Sequence, residues 1–280
     1  MKKHVAVIGG DQRQIYLAQL MRSDGWDVVT WGLEKSSGVA LEEALNAEIV
    51  VLPLPVCRGE ELNLPLSDVK ISCDELLGRL RPEQIILGGM TRTIPQWVQD
   101  QYGLEIWDYY EREEVQIANA VATAEGAVMR AMEETQRTLQ GSRCLIIGYG
   151  RIGKVLAHRL DAMGADVTVA ARKLADLAWI QAYGCKAVSI DQMHGQLGSF
   201  QLIFNTAPSL VLNSDCLRNI EPGCLLMELA SLPGGIDIDA VKEFDLQVVV
   251  ERGLPGKVAP LSAAKAIRDG IYHILEEKGE

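Results

Sequence analysis

The residues with the clearest chemical pattern are Gly148-Tyr149-Gly150-Arg151-Ile152-Gly153. An apolar run at 143–147 precedes them, and a stretch of helical spacing at 154–163 follows. A strand ending in G-x-G-x-x-G and opening a helix receives a dinucleotide pyrophosphate. Gly148 permits the tight turn, Gly150 lets the backbone approach phosphate, and Gly153 lets the helix pack closely on the strand. The helix amino end then presents N–H groups and the positive end of its dipole.

The next strand, 166–171, runs into Arg172-Lys173. An NAD site usually carries an acidic residue here for the ribose 2′-hydroxyl, whereas cations suit a 2′-phosphate. NADP is therefore favoured, with NAD as the alternative. Asn205-Thr206-Ala207-Pro208 follows a later strand at 202–205, and Glu228 ends another at 224–228. Both positions are candidates for the nicotinamide side of the cofactor.

A second group of residues suits an anionic substrate. Gly9-Gly10-Asp11-Gln12-Arg13-Gln14 follows the first strand, but Gln14 stands where a third glycine would be. This reads as a substrate-side loop with Asp11, Arg13 and Gln14, not as a second dinucleotide turn. Arg92 follows another strand and glycine pair, and Lys257 lies in a loop with two glycines and two prolines, 252–260. Guanidinium and ammonium groups at such positions can hold a small dicarboxylate. Asn119 and Thr123 are four apart on one helix face, and Ser262 reads as the cap of the last helix with a ligand contact besides. Glu125 and Asp11 are the candidate bases. His4, His158, His194 and His273 fall in no catalytic or metal-binding spacing, and there is no G-x-S-x-G. No metal site is expected.

Strands alternating with helices must position these groups, so the fold class expected is α/β, with two Rossmann-like three-layer domains built on parallel sheets. In the first domain, 1–111, strands are expected at 4–8, 27–31, 48–53, 84–87 and 104–107. It reads as flavodoxin- or Rossmann-like and lies on the substrate side. The stretch 53–80 reads as an irregular crossing with a short helix. From 112 to 139 there is no proline and one glycine, Gly126, with apolar residues at helical spacing. A long joining helix is expected there, within a linker at 112–140. The dinucleotide domain occupies 141–261, with a last strand at 246–249. A final helix, 262–280, is a candidate to pack back on the first domain. Ligand would lie in a cleft at the strand carboxyl ends.

Composition bounds the partners. The chain has 280 residues, 27 Lys+Arg against 38 Asp+Glu, a formal charge of −11 and 48% hydrophobic residues. This describes a folded protein and argues against a nucleic-acid backbone as partner. The start, MKKHVAVIGGDQRQ, turns polar too early for a secretory signal, and no apolar run reaches bilayer length. A cytoplasmic protein without membrane association is expected. Its six cysteines, without CxxC pairing, should then be reduced thiols.

The long helix before GYGRIG resembles the formate and glycerate dehydrogenase group. That group carries a histidine near the last helix, absent here from 256–262. A closer resemblance is to the A-subunit family of dipicolinate synthases from spore-forming bacteria. It rests on GGDQRQ at 9–14, NAVATAEG at 119–126, GYGRIGK at 148–154, NTAP at 205–208 and GLPGKVAP at 253–260. The resemblance spans nearly the whole chain. It implies pyridine-nucleotide-dependent oxidation of dihydrodipicolinate, or its hydrated tetrahydro precursor from the lysine pathway, to dipicolinate. It also implies action in the mother cell during sporulation, together with a flavoprotein-like B subunit. A homo-oligomer is expected. The alternatives are an NADP-dependent reductase of another small carboxylate and a non-catalytic NADP-binding subunit.

Overall fold

The computed structural model describes residues 4–33 and 38–279; the first three residues of the polar start lie outside them. The chain forms two compact units, Met1–Asn119 with Ala259–Glu280, and Ala120–Val258.

The first unit contains β1 (His4–Ile8), α1 (Gln12–Ser23), β2 (Asp27–Trp31), α2 (Leu41–Ala44) and β3 (Ile49–Val51). Then come β4 (Cys57–Arg58), β5 (Glu61–Leu62), α3 (Cys73–Leu77), β6 (Ile85–Gly88), α4 (Gln96–Tyr102) and β7 (Ile106–Asp108). Five strands form one parallel sheet in the order β2-β1-β3-β6-β7, with β4 and β5 a separate antiparallel pair. This is the 2-1-3-4-5 order of flavodoxin-like sheets, whose direction of winding reverses between β1 and β3. Strands buried on both faces need continuous apolar runs, which explains the β-branched composition of β1 and β3. On one face Ala6, Ile8, Val50 and Ile86 pack with Leu76, Leu77 and Val98. On the other, Val5, Val7 and Val51 pack with Leu17 and Met21 of α1 and with Ile267, Ile271 and Ile274 of α11 (Pro260–Glu277). Gly270 lets Val115 approach α11: an added Cβ would sit 2.5 Å from a Val115 methyl.

Helix α5 (Glu113–Thr135) runs through the division at Asn119. The second unit continues with β8 (Arg143–Ile147), α6 (Arg151–Ala162), β9 (Asp166–Ala171), α7 (Leu174–Ala182) and β10 (Lys186–Ser189). A 3-10 stretch, Ile190–Ser199, leads to β11 (Leu202–Asn205), α8 (Ser214–Leu217), β12 (Leu225–Glu228), α9 (Ile238–Glu243), β13 (Gln247–Val250) and α10 (Leu254–Val258). Its six parallel strands follow the order β10-β9-β8-β11-β12-β13, the doubly wound Rossmann arrangement. Ala124, Ala127, Leu156, Leu160 and Ile180 cover one face, and Met193, Leu197, Leu217 and Val241 the other. The two units are therefore both three-layer α/β.

Four features depart from the sequence reading. The segment 252–260 is not an open loop, because α10 makes a helical turn there and α11 already begins at Pro260. Ser262 consequently lies inside α11; the cap position is Ala259, which has no side chain able to cap, and Pro260 occupies the first helical turn. Strand β10 has no counterpart among the expected strands. It is an edge strand with one buried residue, Val188, so it lacks the apolar run that marks a central strand. Finally, Cys57 and Cys73 form a disulfide with Cα atoms 6.6 Å apart. Folding brings β4 against the first turn of α3, a proximity that a spacing of 16 residues does not reveal. The other four cysteines are free thiols.

Candidate functional site

In the second unit the winding of the sheet reverses between β8 and β11, and the glycine turn lies at the carboxyl end of β8. Gly148 has φ +100°, a conformation glycine adopts freely, and an added Cβ would stand 2.6 Å from Thr206 Oγ1. Thr206 donates its hydroxyl to the Ile147 carbonyl at 2.9 Å, so the β11 loop is fastened against the turn. A Cβ on Gly153 would collide with the Gly148 carbonyl, as expected of a helix held close to its strand. Gly150, the cap residue of α6, faces open space. The turn therefore presents an uncovered backbone at a helix amino end, which fits a pyrophosphate. Arg151 and Ile152 form the first turn of α6, and Tyr149 projects beside it with Lys154 Nζ 5.6 Å from its ring centre.

Arg172 and Lys173 follow β9 directly, are exposed, and make no ion pair or side-chain hydrogen bond with any described residue. Two unpaired cations at this strand end fit a 2′-phosphate. The β11 and β12 ends are joined beneath the surface. Asn205 donates to Glu228 Oε1 at 2.8 Å and to the Ala207 carbonyl at 3.0 Å, while Ala207 N–H donates back to Asn205 Oδ1. Glu228 is 1% exposed and also accepts from the backbone N–H groups of Ala230, Gly235 and Ile236. Its oxygens are engaged by the chain, so it shapes the Asn205–Pro208 and Ala230–Ile236 loops.

In the first unit the comparable crossing lies between β1 and β3. Asp11 caps α1 and Gln14 completes a capping box. Arg13 pairs with Asp11 at 2.8 Å and donates to the Leu54 carbonyl, beyond β3, at 2.7 Å. Burial acts to raise the Asp11 carboxyl, but the hydrogen bonds and charge of Arg13, with Arg58 adding, hold it below its ordinary value. Gln14 is fully buried; its amide donates to Tyr109 Oη, which in turn donates to the Leu52 carbonyl. Burial pushes the Tyr109 phenol far up, so it remains a neutral structural donor.

The remaining candidates are placed separately. Arg92 is exposed and pairs with Glu111 at 3.1 Å. Asn119 donates to Tyr110 Oη at 3.1 Å, and Thr123 is buried. Glu125 is exposed and lies 3.6 Å from Arg159. Ser262 is exposed on α11. Lys257 donates to Glu251 at 2.8 Å, and the other Glu251 oxygen accepts from Arg130 at 2.9 Å. Sequence reasoning missed Glu251, which is 9% exposed; its one signal is a charge directly after the apolar β13. Among the described residues no group of three His, Cys, Asp or Glu is arranged for a metal, and no helix is long and apolar enough to cross a membrane.

Comparison with known proteins places these features. Residues 4–110 match the family described as the N-terminal domain of the dipicolinate synthase A subunit. Residues 112–229 match the D-isomer specific 2-hydroxyacid dehydrogenase NAD binding domain. The chain is thus built as an NAD(P)-dependent oxidoreductase with a dehydrogenase-type dinucleotide domain. More particularly, it resembles the A subunit of dipicolinate synthase over its length. It is 28% identical to that subunit of Bacillus subtilis (strain 168), across 98% of this chain and 96% of the relative. The crystal structure of the Bacillus halodurans subunit superposes with a TM-score of 0.88 at 26% identity, covering 98% of this chain and 97% of that one. Apo D-lactate dehydrogenase from Escherichia coli shares the fold at a TM-score of 0.63 and 14% identity, covering 99% of this chain and 98% of that one.

Proposed function

We propose that this protein oxidises dihydrodipicolinate, or its hydrated tetrahydro precursor, to dipicolinate, with NADP as the oxidant. The observation that carries the reading is the open Gly148–Gly153 turn followed by unpaired Arg172 and Lys173, in a chain similar along its length to the A subunit of dipicolinate synthase.

When bound, NADP supplies the acceptor for a hydride from the substrate ring. Backbone N–H groups of the Gly148–Gly153 turn hold the pyrophosphate, and Arg172 and Lys173 hold the 2′-phosphate. Thr206 keeps the β11 loop against the turn, and Glu228 with Asn205 keeps that loop in shape. Arg13 and Arg92 of the first unit are the cations proposed for the substrate carboxylates. Asp11 is held ionised by Arg13 and is thereby a weak base; its role is to aim the Arg13 guanidinium. Glu125 remains the group proposed to take the ring proton. A hydrated substrate must first lose water, after which removal of one hydride and one proton makes the ring aromatic.

The protein is proposed to act in the cytoplasm of the mother cell, as a homo-oligomer and with a flavoprotein-like B subunit. Mixing it with dihydrodipicolinate and NADP, with and without that subunit, tests the reading. Absorbance of dipicolinate and of reduced nicotinamide should rise together. Cofactor binding without turnover, even with the partner present, would replace the reading by that of a non-catalytic NADP-binding subunit.

A further inference from the structure

The second unit contains a cavity of about 350 Å³ between α6 and α7, with no residue of the β11 loop in its lining. One wall is the face of α6 that carries Lys154, His158 and Asp161, three and four residues apart. The side chains of these three residues make no hydrogen bond or ion pair with any described residue. The opposite wall is aromatic. Trp179 and Tyr183 stack with ring centres 5.5 Å apart and planes inclined by 18°. They are nevertheless 56% and 68% exposed, so the stack is open to a further ring. Tyr149 closes one end.

A concave, mainly apolar space of this size with a few convergent polar groups is a small-molecule site in form. Its chemistry narrows the ligand. An open stacked pair favours a flat ring, which prefers an offset face. Lys154 is a free cation, held 5.6 Å from the Tyr149 ring, and one turn further on His158 offers a ring nitrogen. Asp161 lies a turn beyond that on the same helix face. Burial pushes the Tyr149 phenol up, with Cys185, Tyr183 and Asp176 adding, so that group brings no negative charge.

We propose that the cavity between α6 and α7 binds a planar aromatic dicarboxylate, with its ring against Trp179 and Tyr183 and its carboxylates toward Lys154 and His158. The existence of the site stands on this geometry alone. That the natural ligand is the product of the chain's own reaction rests on the function proposed above. Because Tyr149 lies between Gly148 and Gly150, an occupant that touches its ring also touches the dinucleotide turn. The site is thus suited to product control of cofactor binding.

Calorimetric titration of the full-length protein with pyridine-2,6-dicarboxylate, without cofactor, tests the proposal. One binding event should persist in Arg13→Ala and weaken at least tenfold in both Trp179→Ala and Lys154→Met. Trp179→Phe should restore most of it, and the non-aromatic glutarate should bind at least tenfold more weakly. Trp179 is largely exposed, and unchanged circular dichroism and unfolding midpoint would verify that its variants fold. Absence of any binding, persistence of every event in both cavity variants, or equal binding of glutarate would overturn the site. Loss of turnover with the Trp179-dependent event intact would count against the proposed function and leave the site standing.

Discussion

Asn205 Nδ2 lies 2.8 Å from Glu228 Oε1 and joins the carboxyl ends of β11 and β12. The carboxylate at the centre of this arrangement accepts four hydrogen bonds while 1% exposed. Glu228→Gln keeps the volume but replaces one acceptor oxygen by a donor. One set of backbone N–H groups then loses its partner, at a cost of about 3 kcal/mol. The expected result is a clear fall in the unfolding midpoint by calorimetry, with weaker cofactor binding following from the disordered loop. An unchanged midpoint would contradict the structural role given to Glu228.

Two glycines of the turn should respond differently to the same substitution. Gly153→Ala places a methyl against the Gly148 carbonyl and should destabilise the second unit. Gly150→Ala meets open space and should leave the unfolding midpoint nearly unchanged. Yet that open space is where phosphate would lie, so the same substitution should weaken NADP binding about tenfold or more. Thermal unfolding and fluorescence titration on the two variants separate the effects. Equal loss of stability in both would remove the distinction.

Cofactor choice rests on Arg172 and Lys173. Neither is committed to another described residue, so removing Arg172 should break no internal pair. Arg172→Ala is expected to weaken NADP binding by about tenfold, near 1.4 kcal/mol, and to leave NAD nearly unaffected. Parallel titrations with the two nucleotides provide the check. An equal change for both would show that these cations do not read the 2′-phosphate.

Much of the architecture is legible in local sequence. Apolar runs locate β1, β8, β9 and β11, because strands buried on both faces need apolar residues, and a glycine directly after β1 and β8 marks their sharp exits. The dinucleotide turn is legible for the same reason: its glycines answer to local geometry. Less is legible where the cause is distant in sequence. Nothing near Cys57 indicates Cys73, and nothing near Lys257 indicates that Glu251 shares its carboxylate with Arg130. At Glu228 the position at a strand end is readable, but the occupation of both oxygens by the following loop is not.

The Asp11–Arg13 pair makes an acid-range prediction. The folded-state pKa of Asp11 lies below its ordinary 3.8, since the opposing effect of burial is outweighed by Arg13. Its contribution to stability is therefore complete above pH 3.8 and is lost as pH falls through the lower folded-state value. Asp11→Asn preserves a good helix cap but removes the charge. The variant should be less stable than wild type at neutral pH, and the gap should narrow below pH 3.8. Unfolding midpoints measured from neutral to acid pH test this. Absence of a gap at every pH would show that Asp11 acts as a cap alone, and a gap independent of pH would show that its charge is not the cause.

The Cys57–Cys73 bond ties the β4 strand to the start of α3, closing a loop whose ends are 16 residues apart. A loop of this length restricts the unfolded chain by about 3 kcal/mol, so the bond should stabilise the first unit by that order. Adding a thiol reductant should lower the unfolding midpoint of wild type, and Cys73→Ser should lower it without reductant. The decisive comparison is the variant in reductant: it should show no further change, because the cross-link is already absent. A wild-type midpoint insensitive to a reductant that demonstrably frees both thiols would mean that the buried packing around Cys57 and Cys73, not the bond, holds this segment.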